Sequence, residues 1–143
     1  MFSNSSKYAI RAILFLALNS NEEKKIMVKN LSGKINVPHA YTAKILQELS
    51  RHNLVSSTKG PKGGFFLSER DKKQPLINIV KVIDGDDRLT SCLLSLEHCS
   101  EDRPCPLHKM AAPLRDKLIK NLENKTICDL AKDVKEGIAF LPL

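Results

Sequence analysis

Long apolar runs are missing from this chain of 143 residues. The longest, Ala12 to Leu18, falls far short of the roughly 18 residues that a membrane-spanning helix needs, which argues against a membrane protein. The first residues, Met1 to Lys7, lack the basic, then apolar, then small-residue order of a secretory signal, so the expectation is a cytoplasmic protein. Cysteine does not occur before Cys92, and a chain of this length buries an adequate core without disulfides, so a secreted disulfide scaffold is also disfavoured. No G-x-x-x-x-G-K-[ST] run is present, which removes a phosphate-cradling P-loop. No nucleophilic cysteine with a recognisable base and oxyanion site can be assembled from the sequence, and no enzyme is expected. Internal repeats and low-complexity tracts are absent too.

What the chain does have is an uneven charge. The net charge is +7, with 13 lysines and arginines against 5 acidic residues in positions 1–75 and 10 against 11 in positions 76–143. The positive excess thus lies wholly in the first half, as it would if that half met a polyanion such as DNA. A solvated basic surface would look the same, so charge alone does not decide between them.

The pattern of apolar residues supplies more. Ser5 or Ser6 can cap a helix running to about Asn19, with an apolar face so broad that it must be buried on two sides, within the chain or partly against another chain. Ile26 to Val28 is a short strand candidate. Lys29 to Ile35 has helical composition, and Pro38 suits the first turn of a second helix, Pro38 or His39 to Asn53, with Tyr41, Ile45, Leu46, Leu49 and Leu54 inward. Two short helices with a tight turn make a helix-turn-helix, whose second member can enter the roughly 12 Å wide major groove. Leu54 to Thr58 and Phe65 to Ser68 then read as two strands around a glycine-rich tip, Lys59-Gly60-Pro61-Lys62-Gly63-Gly64. A hairpin directly after a recognition helix is the wing of a winged helix. Its glycines permit close approach to the phosphate backbone or minor groove, and its lysines supply charge.

After a polar turn at Arg70 to Pro75, Leu76 to Ile83 should be helical, ended by Asp84-Gly85-Asp86-Asp87. A further helix, His108 or Lys109 to about Asn124, carries Met110, Leu114, Leu118, Ile119 and Leu122 at seam-like spacing, suited to a dimer contact or to packing on its own domain. Thr126 can cap a last helix reaching about Lys135. The expected fold class is mostly α with a small β-hairpin wing: a winged-helix DNA-binding domain (1–83), a cysteine-containing loop (84–108), and a dimerisation helix with a C-terminal helix (109–143).

Between these helices Cys92, Cys99 and Cys105 follow one another as C-x6-C-x5-C, with His108 three positions on. In a cytosolic protein such a cluster points to metal or redox chemistry. Thiolates are soft ligands for zinc, cuprous copper or iron–sulfur clusters, and one imidazole completes a set of four. Structural zinc favours C-x2-C knuckles. The wider gaps here suit a loop wrapped around something larger than one ion, with a 2Fe–2S cluster as the natural candidate and a 4Fe–4S cluster or zinc as the alternatives. His98 is a rival to His108. Cys128, between Ile127 and Leu130, reads as a buried core thiol.

Lys7-Tyr8-Ala9, Leu54-Val55-Ser56-Ser57, the wing Lys59 to Phe65, the cysteine triplet and Thr126 to Leu130 together resemble a bacterial family of small winged-helix iron–sulfur transcription regulators, over nearly the whole chain. The resemblance implies a homodimer binding a pseudo-palindromic operator in double-stranded DNA, with recognition helices in successive major grooves and wings in the flanking minor grooves. It implies Cys92, Cys99, Cys105 and His108 as ligands of a 2Fe–2S cluster that controls DNA affinity, most often in a repressor. Nitric-oxide-sensing members take a carboxylate from the partner's first helix instead, and Asn4, Lys7 and Tyr8 offer none. The DNA contacts it implies are His39, Ala40, Tyr41, Ala43 and Lys44 in the recognition helix and Lys59, Gly60, Pro61, Lys62, Gly63 and Gly64 in the wing. The family commonly has arginine where Lys59 stands, and Ala40 and Ala43 make no side-chain hydrogen bond, so operator preference does not carry over. Two other functions remain open: a regulator whose Cys/His site is structural zinc or a thiol switch, and a cluster carrier that does not bind DNA.

Overall fold

A computed structural model of the chain describes residues 2–96 and 99–142. The elements in order are α1 (Asn4–Asn19), α2 (Val28–Ile35), α3 (His39–Arg51), β1 (Ser56–Thr58), β2 (Gly64–Phe66), α4 (Glu69–Lys72), α5 (Leu76–Asp84), α6 (His108–Asn124) and α7 (Ile127–Lys135).

Helix α1 is the axis of the fold. Its broad apolar face is buried within the chain: Ala9, Ala12, Ile13, Leu16 and Ala17 are sealed by α2 and α3 on one side and by α5 and α7 on the other. Each fully buried leucine or isoleucine here stabilises by about 1.5–3 kcal/mol relative to exposure. The helix is capped by Ser3, whose hydroxyl accepts from the Ser6 amide, and not by Ser5 or Ser6. Those two serines are used in tertiary contacts instead. Ser6 Oγ donates to Asp84 at the end of α5, and Ser5 Oγ shares a hydrogen bond with the Tyr41 hydroxyl of α3.

Helices α2 and α3 form the expected helix-turn-helix. The turn works because Asn36 takes the left-handed conformation (φ 55°, ψ 51°), which asparagine tolerates, and Val37 is buried behind it. Pro38 precedes α3 as its cap residue instead of lying inside it, and α3 stops at Arg51, two residues short of the expected Asn53. Asn53 itself has φ 59° and turns the chain into the wing.

The wing is an antiparallel pair in the register Ser56↔Phe66, Ser57↔Phe65 and Thr58↔Gly64, shorter at its base than the sequence pattern suggests, without Leu54, Val55, Leu67 and Ser68, and one residue longer at the tip, where Gly64 joins it. Ile26 lies along the outer edge of β2, exchanging both backbone hydrogen bonds with Phe65 (2.8 and 2.9 Å). Ile26 to Val28 is therefore a single bridge, since Met27 caps α2 and Val28 begins it. Gly64 has φ 152°, and a Cβ there would meet the Ile26 carbonyl oxygen at 2.8 Å, so this close approach requires glycine. Leu67 leaves the hairpin with its amide bonded to Ser20 Oγ (3.1 Å), which pins the wing to the end of α1.

The polar stretch after the wing is not all turn: α4 is a single helical turn closed by a capping box between Ser68 and Asp71, with Asp71 also accepting from Ser56. The C-terminal α7 folds back onto α1 and α4. A bridge of two backbone hydrogen bonds, Leu76 N to Lys125 O and Ile127 N to Gln74 O (3.0 and 3.1 Å), joins it to the start of α5. Thr126 caps α7 as expected, with Asp129 completing a capping box. No helix among the described residues is long and apolar enough to cross a membrane.

Candidate functional site

The two regions of interest lie on different elements. On the first, α3 leaves His39, Ala40 and Lys44 exposed and Ala43 half-buried, while Thr42, Ile45, Leu46 and Leu49 are buried beneath. Helical spacing puts Ala40, Ala43 and Lys44 on one outer stripe, and the exposed Gln47 continues it. Gln47 is absent from the expected contact set, although the i+3/i+4 step from Ala43 and Lys44 leads directly to it. Tyr41 is turned away from that stripe: half-buried, its ring meets Tyr8 edge-on (centroids 5.9 Å apart) and its hydroxyl is engaged with Ser5. The one acidic residue of α3, Glu48, pairs with Arg51 (2.9 Å) and His52 (3.6 Å), so it does not present an unopposed negative charge to a phosphate.

The wing tip presents Lys59, Gly60, Pro61 and Lys62 to solvent, with Gly63 and Gly64 half-buried. The tip is closed by the Gly63 amide donating to the Gly60 carbonyl at 2.9 Å. A Cβ on Gly63 would stand 2.3 Å from the Thr58 carbonyl oxygen, so the tight return depends on glycine.

The second region is a cavity of about 300 Å³ between the loop of residues 88–107 and the first turns of α6, lined by Cys92, Cys99, Cys105 and His108 among others. The four residues come together as two pairs: Cys92 Sγ and Cys105 Sγ are 3.7 Å apart, and Cys99 Sγ and His108 Nδ1 are 3.3 Å apart. Among the described residues no three histidine, cysteine or acidic groups gather tightly enough for a single metal ion. His98 lies outside the described residues.

Local structure fixes each donor. His108 opens α6, its amide bonded to the Cys105 carbonyl (3.0 Å), so the third cysteine and the histidine are joined by one turn. Cys92 is buried, and its thiol is held below its ordinary range by the Leu94 and Leu96 amides first, with lesser help from Cys105 and Arg115, against the opposing effect of burial. Arg115, two turns beyond His108 on α6, donates from Nη1 to Cys99 Sγ (3.1 Å) and to the Thr90 carbonyl (3.3 Å). Sequence reasoning missed Arg115, though its i+7 spacing from His108 puts it on the same face. Cys128 is exposed on α7, which corrects its assignment to the core; Ile127 and Ala131 are the buried positions there.

Exposed apolar side chains stand on the loop and on α6. Leu93, Leu94 and Leu96 of the loop and Met110 and Leu114 of α6 are all exposed, Leu114 at 66%. The seam of α6 thus divides: Leu122 is buried against its own domain with Leu118 and Ile119 half-buried, whereas its N-terminal half is uncovered.

A helix-turn-helix with a basic glycine-tipped hairpin defines a winged-helix regulator. Residues 2–133 match the family model described as Rrf2, iron-dependent transcriptional regulator, and the chain belongs to that family. It is 32% identical over 132 residues to a helix-turn-helix-type transcriptional regulator of Aquifex aeolicus (strain VF5), covering 91% of this chain and 90% of the relative. It is 26% identical over 131 residues to the regulator IscR of Escherichia coli (O1:K1 / APEC), covering 92% and 80%. Its fold is that of the T. potens IscR structure (TM-score 0.71, 20% identity, 99% and 93% covered) and of CymR, the global cysteine regulator of B. subtilis (TM-score 0.69, 22% identity, 92% and 96% covered). The relatives are transcriptional regulators and not enzymes, and the family implies regulation through DNA binding.

Proposed function

We propose that this protein is a transcription regulator, in the sense of a repressor, that binds a pseudo-palindromic operator as a homodimer and whose DNA affinity is set by a 2Fe–2S cluster. The observation that carries this reading is the pairing of four donors on one cavity. Two thiolates on one tetrahedral metal, each about 2.3 Å from it, stand about 3.8 Å apart, and a thiolate with an imidazole stands about 3.6 Å apart. The separations here are 3.7 and 3.3 Å, so each pair is near the spacing that two donors sharing a metal would have. The donor set of Cys92, Cys99, Cys105 and His108 therefore fits the group. When bound, such a cluster supplies one-electron redox chemistry and sensitivity to oxidants or nitric oxide.

Contacts along the chain support such a coupling. The cysteine loop leaves α5 at Asp84, which holds Ser6 of α1 and its cap Ser3, and α1 holds Tyr41 of the recognition helix through Ser5. Order in the loop and position of α3 are thus linked through packed elements. The exposed apolar N-terminal half of α6 supports a second copy as its cover, with the division of the chain at 84 and 108 as a working boundary. His39, Ala40, Ala43 and Lys44 supply the major-groove contacts, Gln47 extends them, and Lys59 to Gly64 meet the backbone or minor groove. Tyr41 acts mainly by orienting α3. A cytoplasmic location accords with this role.

Anaerobic purification with an absorption spectrum and iron and sulfide counts tests the cofactor. About two irons and two sulfides per chain are expected from the family's 2Fe–2S chemistry. Binding to an operator selected from random duplexes, with and without cluster over a range of salt, tests the control, because any coupling must be reciprocal. Equal affinity in both states would overturn it. The Cys92–Cys105 approach favours one other reading, a thiol switch: colourless protein whose DNA affinity follows a thiol oxidant would establish that instead.

A further inference from the structure

Arg115 is a cation held against a cysteine. Its Nη1 reaches Cys99 Sγ at 3.1 Å and the Thr90 carbonyl at 3.3 Å, and its Nε reaches Asp116 Oδ1 at 3.1 Å. The side chain is 23% exposed, against 63% for Asp116, so most of it is shielded from solvent. One residue on α6 therefore ties two points of the loop, Thr90 and Cys99, to the helix that carries His108.

We propose that Arg115 is a positioning residue that fixes Cys99 for ligation and biases the site electrostatically towards the reduced state of the group it holds. This rests on the cluster reading above and deepens it. The site brings three thiolates together, and one-electron reduction adds a further negative charge. A guanidinium at hydrogen-bond distance from one thiolate is attracted more strongly after that addition than before it. Arg115 thus raises the reduction potential. The contact to Thr90 does a second job, since it holds the start of the loop against α6 whether or not the site is loaded.

The test uses the full-length chain as wild type, Arg115→Gln and Arg115→Lys. Arg115 lies outside the core, so all three should fold. Each is loaded anaerobically with iron and sulfide, counted, and titrated spectroelectrochemically. The midpoint of R115Q should lie below that of wild type, with R115K returning most of the shift because it keeps the charge. In the unloaded proteins, amide hydrogen exchange across Thr90 to Leu96 should be several-fold faster in R115Q. Equal midpoints in loaded wild type and R115Q would overturn the electrostatic role, and equal exchange would overturn the positioning role. Wild-type chain that takes up no iron and sulfide would overturn the functional reading and the electrostatic role with it.

Discussion

Arg11 of α1 donates from Nη2 to the carbonyl oxygen of Ile35, the last residue of α2, at 2.6 Å. That carbonyl has no partner inside α2, because the chain turns left-handed at Asn36 immediately after it. The contact fixes where the first helix of the helix-turn-helix ends, and so where α3 begins. Arg11→Ala should lower stability by about 1.5–3 kcal/mol, the usual worth of a hydrogen bond with one charged partner. Urea unfolding would show it as a lower midpoint with unchanged slope.

Two glycines should respond to alanine with opposite signs. Gly33 sits in α2 with nothing within 4 Å of an added Cβ, so Gly33→Ala should stabilise by about 0.5–1 kcal/mol through lost chain entropy. Gly64 has φ 152° and its added Cβ would strike the Ile26 backbone at 2.8–3.1 Å. Gly64→Ala should destabilise by roughly 1–3 kcal/mol and detach Ile26 from the wing. Thermal unfolding of the pair, with amide exchange at Ile26 and Phe65, checks both.

These contrasts also explain which parts of the fold were legible. The long elements follow from periodicity and from local caps: the T-x-x-D run Thr126 to Asp129 announces α7, and Pro38 and the glycine tip announce α3 and the wing. The cap of α1 was not legible, because Ser3, Ser5 and Ser6 are chemically alike and their roles are set by Asp84 and Tyr41, far along the chain. Helix α4 is too short to show a period, although its Ser68–Asp71 box was there to read. Cys128 misled because apolar neighbours in sequence are not neighbours on a helix: the buried face follows Ile127 and Ala131, four apart. Spacing singled out the cysteines and His108 for the cavity, but not Arg115, whose contact depends on how the loop folds over α6.

Asp84 links pH to stability. Burial alone would raise its carboxyl, but hydrogen bonds from Ser3 Oγ, Ser6 Oγ and the Ser3 amide outweigh this and hold it below the ordinary 3.8. A carboxylate lowered on folding stabilises above its unfolded value, and that contribution is lost as pH falls from 3.8 through the lowered value. Asp84→Asn should therefore be less stable than wild type at neutral pH, with the gap closing in acid. Denaturant titrations at a series of pH values measure it, and a gap independent of pH would count against the assignment.

Met110 and Leu114 expose 64% and 66% of their surface on the N-terminal half of α6, and Leu114 also lines the cysteine cavity. If a second copy covers them, charge there should separate the copies with little effect on each fold. Wild type should then sediment as a dimer, and Met110→Glu with Leu114→Glu as a monomer. Because exposed substitutions usually change stability by only about 0.5 kcal/mol, a single-chain unfolding midpoint close to wild type is expected. A double variant that remains dimeric would place the contact elsewhere.

Lys59 and Lys62 stand at the exposed wing tip, while the glycines between and after them shape the turn. On the proposed reading their charge meets phosphate, which every sequence carries, so Lys59→Ala and Lys62→Ala should each weaken binding to operator and to unrelated duplex by similar factors. Each loss of a phosphate contact should also reduce the slope of log affinity against log salt by about 1. Gln47→Ala should behave differently, lowering operator affinity more than non-specific affinity and leaving the salt slope unchanged, because a neutral side chain in the groove displaces no counterions. Fluorescence anisotropy at several salt concentrations separates the two outcomes, and a wing variant with an unaltered slope would remove the wing from the DNA interface.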